Sequence, residues 1–168
     1  KLPRGLTPLI EACSRNEMEF GLWVEPEMVS PDSDLYRSHP DWVLSHDPSP
    51  KMLARHQLVL DLARPEVEAY IFEAISTLLG QHAITYLKWD MNRDIHQAGN
   101  ALGYPAVSDQ TQALYRLLNR VKTDFPEVEI ESCASGGGRV DCGILNYTSR
   151  FWPSDTNDAL DRLSVQSG

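Results

Sequence analysis

The sequence predicts an α/β fold, a (β/α)8 TIM barrel represented by a partial barrel of about five βα units. Helix-like and strand-like segments alternate along the chain, which indicates βαβ units and a parallel sheet. Polar residues follow several strand candidates. This pattern favours a barrel, because a barrel collects its strand ends on one face whereas a doubly wound sheet binds ligands at one switch point. At 168 residues the chain is shorter than the roughly 250 residues of a complete barrel.

Hydrophobic periodicity predicts the elements in order. A helix over residues 6–16 and a strand over 19–24 come first, and a strand over 57–62 follows. Pro65 opens a helix over 66–79, because proline suits the first helical turn. The apolar face expected for this helix comprises Val67, Tyr70, Ile71, Ala74, Ile75 and Leu78. The remaining elements are a strand over 84–90, a helix over 110–122, a strand over 128–133 and at least one strand within 143–155.

Composition and charge exclude several classes of protein. With 42% hydrophobic and 23% charged residues, the chain is typical of one soluble globular domain. Its 15 basic and 24 acidic residues leave a formal net charge of −9, which would repel nucleic acid and suits a neutral ligand. The apolar runs are far shorter than the ~18 residues of a membrane span, so no membrane segment is predicted.

Cysteine usage predicts a cytoplasmic location. Cys13, Cys133 and Cys142 are odd in number and too few for a disulfide framework. Residues 1–5 carry two positive charges but lead into no apolar block, so no secretion signal is visible. The tripeptide at 146–148 matches the glycosylation pattern, but it lies in a strand-like run and is interpreted as a chance match.

Two carboxylates stand at predicted strand ends. Asp90 closes a buried-strand pattern and has Lys88 and Asn92 beside it. Asp155 lies in a polar loop after the aromatic pair at 151–152. Acid/base chemistry on a glycosidic bond requires two carboxylates on separate elements, so this pair points to glycoside hydrolysis. The structural alternative for either residue is a loop cap.

The sequence predicts no cofactor and no metal ion. Its five histidines show no paired ligand spacing. The loop that begins at Asp90 departs from a calcium loop, because Ile95 stands where glycine is required and Ala101 where glutamate is required. The glycine run at 136–138 lacks the spacing of a phosphate-binding loop.

Four longer motifs coincide with the predicted strand ends. They are FGLWVEPEMVS at 20–30, YLKWDMNR at 86–93, ESCASGGGR at 131–139 and WPSD at 152–155. In this order they resemble the α-galactosidases of glycoside hydrolase family 36. The resemblance implies a retaining exo-hydrolase acting on terminal α-galactosides such as melibiose and raffinose. It also implies a TIM-barrel catalytic domain flanked by β-rich domains, in a protein that is commonly a homotetramer.

The same resemblance assigns roles to individual residues. Asp90 takes the position of the nucleophile and Asp155 that of the general acid/base. A retaining mechanism needs one ionised and one protonated carboxyl about 5–5.5 Å apart. Lys88, on the same strand face, is expected to keep Asp90 ionised. The substrate-binding residues are Trp23 as an apolar wall, Arg55, Lys88 and Asn92 as donors to hydroxyls, Cys133 as a neutral wall, and Gly136 in a loop that donates backbone amides.

Other acidic residues are interpreted as supporting groups. Three are expected to take part in hydrogen bonds near the site rather than in catalysis, namely Glu25, Glu27 and Glu131. Asp94 and Asp158 are interpreted as loop or helix caps. Asp158 is also expected to raise the pKa of Asp155 by like-charge repulsion.

Two departures from the family pattern are visible. The order Thr156-Asn157-Asp158 replaces the commoner Asn-Thr-Asp, which bears on the contacts to the leaving-group sugar. The adjacent Asp pair that the family carries on an earlier strand does not precede Trp23. Residues 1–168 are therefore interpreted as the central part of one barrel domain in a longer enzyme. By itself this part is expected to be inactive or poorly folded, because its sheet edges would be open.

Three other functions stay open on the sequence. Plant enzymes with similar motifs transfer galactose to sucrose, so a galactosyl transferase of the raffinose or stachyose synthase type is the first alternative. Lys88 at a barrel strand end could form a Schiff base in an aldolase-like enzyme. The third alternative is a sugar-binding module without turnover.

Overall fold

The computed structural model describes residues 2–46, 49–100 and 102–167. Its helices are α1 (Thr7–Arg15), α2 (Asp34–Ser38), α3 (Pro65–Gln81), α4 (Val107–Asp124) and α5 (Ala159–Ser167). Its strands are β1 (Gly21–Val24), β2 (Met28–Val29), β3 (Leu58–Val59), β4 (Tyr86–Trp89), β5 (Glu129–Ser132) and β6 (Arg150–Phe151), and a 3₁₀ turn spans Ile144–Asn146. The predicted helices and strands are present with ends that differ by a few residues. α2, β2 and α5 are additional to them.

Four strands form one parallel sheet in the order β1-β4-β5-β6. Within the described residues this order follows the chain without reversal, as it does around a barrel. The register places Trp23, Lys88, Glu131 and Arg150 side by side in one row. Because side chains alternate along a strand, this row faces the same side of the sheet as Asp90.

The strand predicted over 57–62 differs in its pairing from the expectation. It forms β3, which pairs antiparallel with β2 in a separate two-stranded sheet, where Met28 lies opposite Val59. β1 pairs directly with β4 instead, so the described residues contain a 4-stranded parallel sheet rather than about five βα units. Leu58, Val59 and Leu60 are all buried. A short run buried on both faces has the same sequence pattern in either kind of sheet.

Two helices cover one face of the parallel sheet. Leu87, Trp89 and Ile130 are buried in a core cluster that includes residues of α3 and α4. The buried stripe of α4 consists of Gln110, Ala113, Leu114, Leu117, Leu118 and Val121. The row that contains Lys88 and Glu131 lies on the other face, which the helices leave open. No helix in the described ranges combines the length and the apolar character needed to cross a bilayer.

The buried stripe of α3 is rotated relative to the predicted one. Its buried residues are Val67, Ile71, Phe72, Ile75 and Leu79. Tyr70 and Ala74, both predicted to be buried, are exposed. Phe72 lies beneath Arg120 of α4, with 3.4 Å between the guanidinium carbon and the ring centroid. α3 therefore packs against α4 as well as against the sheet, and periodicity within one helix does not reveal its second neighbour.

The tripeptide at 146–148 is integrated into the 3₁₀ turn and the residues after it. The Asn146 side-chain amide donates to the carbonyl oxygens of Cys142 and Gly143 at 3.0 and 3.2 Å. The Thr148 hydroxyl is buried and donates to the carbonyl oxygen of Ile144. Glycosylation requires an accessible surface loop, so these contacts support the interpretation of a chance match.

Candidate active site

The two candidate carboxylates lie on the same rim of the sheet. Asp90 directly follows β4, and Asp155 lies four residues after Phe151, the end of β6. β5 separates the two strands. Neighbouring strands are about 4.8 Å apart, so the axes of β4 and β6 are about 10 Å apart. Side chains that lean toward each other from these ends can approach the shorter separation that a retaining glycosidase uses.

Asp90 is buried and receives several hydrogen bonds. The residue is only 4% exposed. The Trp23 indole and the Asn92 amide donate to Oδ2 at 2.9 and 2.6 Å, and the Met91 backbone amide donates to Oδ1 at 2.9 Å. Burial raises the pKa of Asp90, but donors from Trp23, Cys133, Asn92 and Met91 outweigh it and hold the pKa below its usual range. Asp90 is therefore an ionised carboxylate at neutral pH.

Cys133 is a neutral thiol beside Asp90. It is 3% exposed, and burial raises its pKa to about 11, with the Asp90 carboxylate acting in the same direction. The Gly136 backbone amide opposes this shift only in part. The raised pKa is consistent with the predicted neutral thiol. The sequence did not predict that this thiol helps to lower the pKa of Asp90.

Asn92 connects Asp90 to a second carboxylate. Its Nδ2 donates to Asp90 and also to Glu25 Oε1, at 2.5 Å. Its Oδ1 accepts a hydrogen bond from the Ser135 hydroxyl at 3.4 Å. Glu25 Oε1 also lies 3.3 Å from Arg55 Nη1. Glu25 therefore has the predicted supporting role, and Arg55 contacts Asp90 only through Glu25 and Asn92.

Arg55 lies in a strained turn. Both Arg55 and His56 have positive φ angles, 52° and 59°. The turn is closed by a pair of backbone hydrogen bonds between Ala54 and Gln57. Glycine and asparagine are the usual residues at such positions, and other side chains cost about 1–3 kcal/mol each there. Strain of this kind is concentrated at functional sites, which agrees with the expected role of Arg55 in substrate binding.

Lys88 pairs with Glu131 and does not hydrogen-bond to Asp90. Its Nζ lies 3.7 Å from Glu131 Oε1 and 4.0 Å from the centroid of the Trp152 ring. The largest influences that lower the pKa of Asp90 are hydrogen-bond donors, so the effect of Lys88 on Asp90 stays a prediction. Glu131 also gives Lys88 an acidic partner, whereas Schiff-base lysines are activated by apolar surroundings or a second cation.

Tyr86 completes the surroundings of Glu131. Its hydroxyl donates to Glu131 Oε2 at 2.5 Å. Burial and this hydrogen bond raise the pKa of Tyr86 well above its usual range, so the phenol stays protonated and remains a donor. Glu131 therefore accepts from Tyr86 and pairs with Lys88, which is the supporting role predicted for it. The contact with Tyr86 was not predicted.

Asp155 is exposed and accepts one strong hydrogen bond. The Trp152 indole donates to its Oδ1 at 2.6 Å. The nearby Asp158 accepts hydrogen bonds from the backbone amides of Leu160 and Asp161 at 2.9 and 3.0 Å. Asp158 therefore caps the start of α5, as predicted. Trp152 has no role in the sequence-based site, although it is the aromatic residue closest before Asp155 in the chain.

The glycine loop packs against the segment that carries Asp155. Gly136 has a φ of +89°, and a Cβ atom there would come within 2.9 Å of the Pro153 carbonyl oxygen. The amides of Gly137 and Gly138 donate to the carbonyl oxygens of Pro153 and Ala134 at 2.9 and 3.1 Å. The expectation that this loop offers its amides to a sugar is therefore wrong for Gly137 and Gly138. Glycine is required at 136 for a close approach between two loops.

A cavity of about 490 Å³ lies beside the site, between the loops after β4 and β5 and helix α4. Neither Asp90 nor Asp155 lines it. Glu27 on its wall is buried and accepts hydrogen bonds from Trp89 Nε1 and Arg139 Nη1 at 2.9 and 2.7 Å. Glu27 therefore has a structural, hydrogen-bonded role, as predicted. The candidate site is instead the rim of the sheet that carries Asp90 and Asp155.

A comparison with protein families identifies the chain. The family model described as Melibiase matches residues 1–168. The chain belongs to the Melibiase family. An alpha-galactosidase of Escherichia coli is 52% identical to this chain over 168 residues, which are 100% of this chain and 24% of that protein.

Solved structures agree with the family assignment. The glycoside hydrolase family 36 alpha-galactosidase AgaA from Geobacillus stearothermophilus is 44% identical, with a TM-score of 0.93 over 98% of this chain and 24% of AgaA. Variants of AgaA have been solved in complex with raffinose and with stachyose. The chain thus spans about a quarter of the length of the relatives it matches. These matches confirm the resemblance to glycoside hydrolase family 36 and the predicted barrel class.

Proposed function

We propose that this chain forms part of the catalytic domain of a retaining, exo-acting α-galactosidase. The substrates are terminal α-D-galactosides such as melibiose and raffinose-type oligosaccharides. The observation that carries this proposal is the contrast between two carboxylates on one rim. Asp90 is buried among donors that favour its ionised form, whereas Asp155 is exposed. Different surroundings are what assign different roles to two acids in a glycosidase.

In the proposed reaction Asp90 is the nucleophile. Its ionised carboxylate attacks the anomeric carbon as the bond to the leaving oxygen breaks, and a covalent galactosyl-enzyme forms. The donors from Trp23, Asn92 and Met91 fix the plane of the carboxylate. These hydrogen bonds also stabilise the buried negative charge of Asp90 in the free enzyme, because a buried charge without partners is costly.

Asp155 is the proposed general acid/base. It donates its proton to the glycosidic oxygen in the first step and removes a proton from water in the second. An exposed carboxyl suits both steps, because the leaving sugar departs on this side and water enters on it.

The proposed sugar pocket uses side chains that surround these two acids. Trp23 is 48% exposed, so part of its ring is free to contact a pyranose face. Lys88 is held between Glu131 and Trp152 on the same face of the sheet. Its ammonium keeps donor capacity for sugar hydroxyls because one carboxylate does not use all three of its protons. Arg55 supplies further donors from its turn.

The identity of the substrate rests on relatives. AgaA variants hold raffinose and stachyose, both of which end in an α-linked galactose. We carry this substrate class over to the present chain because the match to AgaA extends over nearly all of it. Placement of the chain within one barrel domain of a longer, tetrameric, cytoplasmic enzyme stays a prediction.

Covalent labelling tests the role of Asp90 in the full-length protein that contains this segment. A fluorinated galactosyl inactivator is expected to add one galactosyl unit to the peptide that carries Asp90, as read by mass spectrometry. Asp90→Asn is expected to abolish labelling and to lower kcat by at least about 10⁴-fold, the scale of losing a nucleophile. The matched control Asp94→Asn changes an exposed neighbouring acid that contacts His96 and should retain activity.

Two results would contradict the proposal. One is a label on a residue other than Asp90. The other is a first product of β configuration, observed by NMR early in the reaction, because a retaining enzyme releases α-galactose. Labelling of Asp90 with galactose passed mainly to a sugar acceptor would identify a transferase instead.

A leaving-group comparison tests the role of Asp155. Asp155→Ala is expected to lower kcat/KM for melibiose by about 10²–10⁴-fold, the range for general acid catalysis. The same variant is expected to retain most of its kcat/KM for a 2,4-dinitrophenyl α-galactoside, because this phenolate leaves without a proton. An equal loss on both substrates would show that Asp155 is not the acid.

A further inference from the structure

Trp152 connects the strand end of β6 to the candidate acid. Its backbone amide donates to the carbonyl oxygen of Ser132 on β5 at 2.9 Å, so the residue is anchored to the sheet. Its indole Nε1 donates to Asp155 Oδ1 at 2.6 Å. Within the described residues this is the one side-chain hydrogen bond that Asp155 accepts.

Two cations hold the Trp152 ring in place. Lys88 Nζ lies 4.0 Å from the ring centroid, and the Arg162 guanidinium carbon lies 5.3 Å from it. Arg162 also donates to the carbonyl oxygen of Ser154 at 2.9 Å, so it joins the ring to the backbone that leads to Asp155. Cations near an aromatic face are attracted to its electrons. The same attraction withdraws electron density from the ring and strengthens the indole N–H as a donor.

An indole N–H can donate a hydrogen bond but cannot accept one. A protonated carboxyl group has one oxygen that carries the proton and one that only accepts. The carbonyl oxygen is the better acceptor of a protonated carboxyl group, so donation from Trp152 to Oδ1 favours the proton on Oδ2 of Asp155. The indole therefore decides which oxygen presents the proton, and the direction in which it points.

We propose that Trp152 is a positioning residue that orients the acidic proton of Asp155 toward the leaving oxygen. The proposal rests on the proposed role of Asp155 as general acid. It goes beyond that role because Trp152 acts through its hydrogen bond to Asp155 rather than on the sugar itself. Asp90 does not depend on one donor in this way, since Trp23, Asn92 and Met91 all donate to it.

The expected signature is a selective loss on poor leaving groups. Trp152→Phe keeps a ring between Lys88 and Arg162 but removes the N–H. In the full-length protein, kcat/KM for melibiose is expected to fall by at least about tenfold, a fraction of the 10²–10⁴ that general acid catalysis contributes. For a 2,4-dinitrophenyl α-galactoside, kcat/KM is expected to change less than about twofold, because its departure needs no acid. kcat/KM is the chosen quantity because it reports on the step that breaks the glycosidic bond.

Trp42→Phe is the matched control. Trp42 stacks on His39 with 3.9 Å between ring centroids and contacts Tyr70 edge-on, away from both aspartates. In this variant, the ratio of kcat/KM for melibiose to kcat/KM for the 2,4-dinitrophenyl α-galactoside should equal the ratio in the unchanged protein. All rates are divided by the number of sites that the fluorinated galactosyl inactivator labels, so that a misfolded fraction does not contribute.

The outcomes distinguish the positioning role of Trp152 from the general-acid role of Asp155 on which it rests. If Asp155→Ala shows the selective loss and Trp152→Phe loses activity equally on both substrates per labelled site, the positioning role is overturned and the general acid is kept. Unchanged kcat/KM for melibiose in the Trp152→Phe variant would also overturn the positioning role and keep the general acid. If Asp155→Ala itself lacks the selective loss, the proposed general acid fails, and the positioning role fails with it.

Discussion

At the scale of residues, the two acids differ because of contacts that cross the sheet. Trp23 lies on β1 and donates to Asp90, 67 positions later in the chain. Cys133 follows β5 and also lowers the pKa of Asp90. The neighbour on the same strand, Lys88, pairs with Glu131 instead. The sequence identified the acids and the residues around them, but it could not assign the donors, because adjacency between strands arises only on folding.

The indole of Trp23 is expected to help set the acidic limit of activity. Because its pKa is lowered, Asp90 stays ionised even at pH values somewhat below its ordinary pKa. Its contribution to folding stability is fully present above the ordinary pKa. Both properties are lost as the pH falls through the lowered value. Trp23→Phe removes the N–H and keeps an aromatic face, so the pKa of Asp90 should rise. The acidic limb of kcat/KM against pH should then move to higher pH.

The pH profile of melibiose hydrolysis measures this shift in the full-length protein. Trp42→Phe serves again as the control and should leave the acidic limb in place. A hydrogen bond to a charged group contributes about 1.5–3 kcal/mol, which makes the loss of one such donor measurable. An acidic limb that does not move in Trp23→Phe would show that Trp23 serves only as a wall of the pocket.

At the scale of elements, the loop after β5 positions the loop after β6. The Gly137 amide bonds to the Pro153 carbonyl oxygen, and Gly136 leaves no room for a Cβ atom against Pro153 and Ser154. The glycine run could be read from the sequence as a tight turn. The sequence could not show that Pro153 is the residue that requires glycine at position 136, because the chain reaches Pro153 only after the crossover that returns it to the sheet.

Gly136→Ala is expected to displace the loop that carries Asp155. The new Cβ would meet Pro153 O at 2.9 Å and the Ser154 Cα at 3.3 Å, and its φ of +89° disfavours a side chain. A displacement of about 1 Å can lower a rate about 100-fold, so kcat for melibiose should fall on this scale. The free energy of unfolding should fall by about 1–3 kcal/mol from backbone strain.

Gly103→Ala is the matched control for this substitution. Gly103 has a similar φ of +79°, but a Cβ there meets nothing within 4 Å. It should therefore show the strain in a urea melt and leave kcat nearly unchanged. Equal kcat values for the two alanine variants would mean that the contact with Pro153 does not position Asp155.

At the scale of the whole molecule, the described residues form one part of a barrel with an uncovered inner face. α3 and α4 cover the outer face of the sheet, whereas Trp23 on the inner face stays 48% exposed. α5 has no buried residue, and Leu160 and Leu163 project from it into solvent. Exposed apolar groups of this kind mark surfaces that other parts of a protein cover.

The chain expressed by itself is therefore expected to be inactive and prone to association. A chromogenic α-galactoside should show no turnover by residues 1–168, and a hydrophobic dye should bind strongly to the exposed surface. The full-length protein at the same molar concentration is the control and should show turnover with little dye binding. Substantial turnover by the isolated chain would show that these residues suffice for a working site.

The order of helices and strands, the barrel class and the identity of the two candidate acids were all readable from the sequence. Periodicity reports which face of an element is buried, and the four motifs report the residues at the strand ends. The partner of β3, the rotation of α3, the pairing of Lys88 with Glu131 and the hydrogen bond from Trp23 to Asp90 were decided only by the tertiary structure. Each of these depends on a neighbour from a distant part of the chain, and a local pattern contains no information about the distance to such a neighbour.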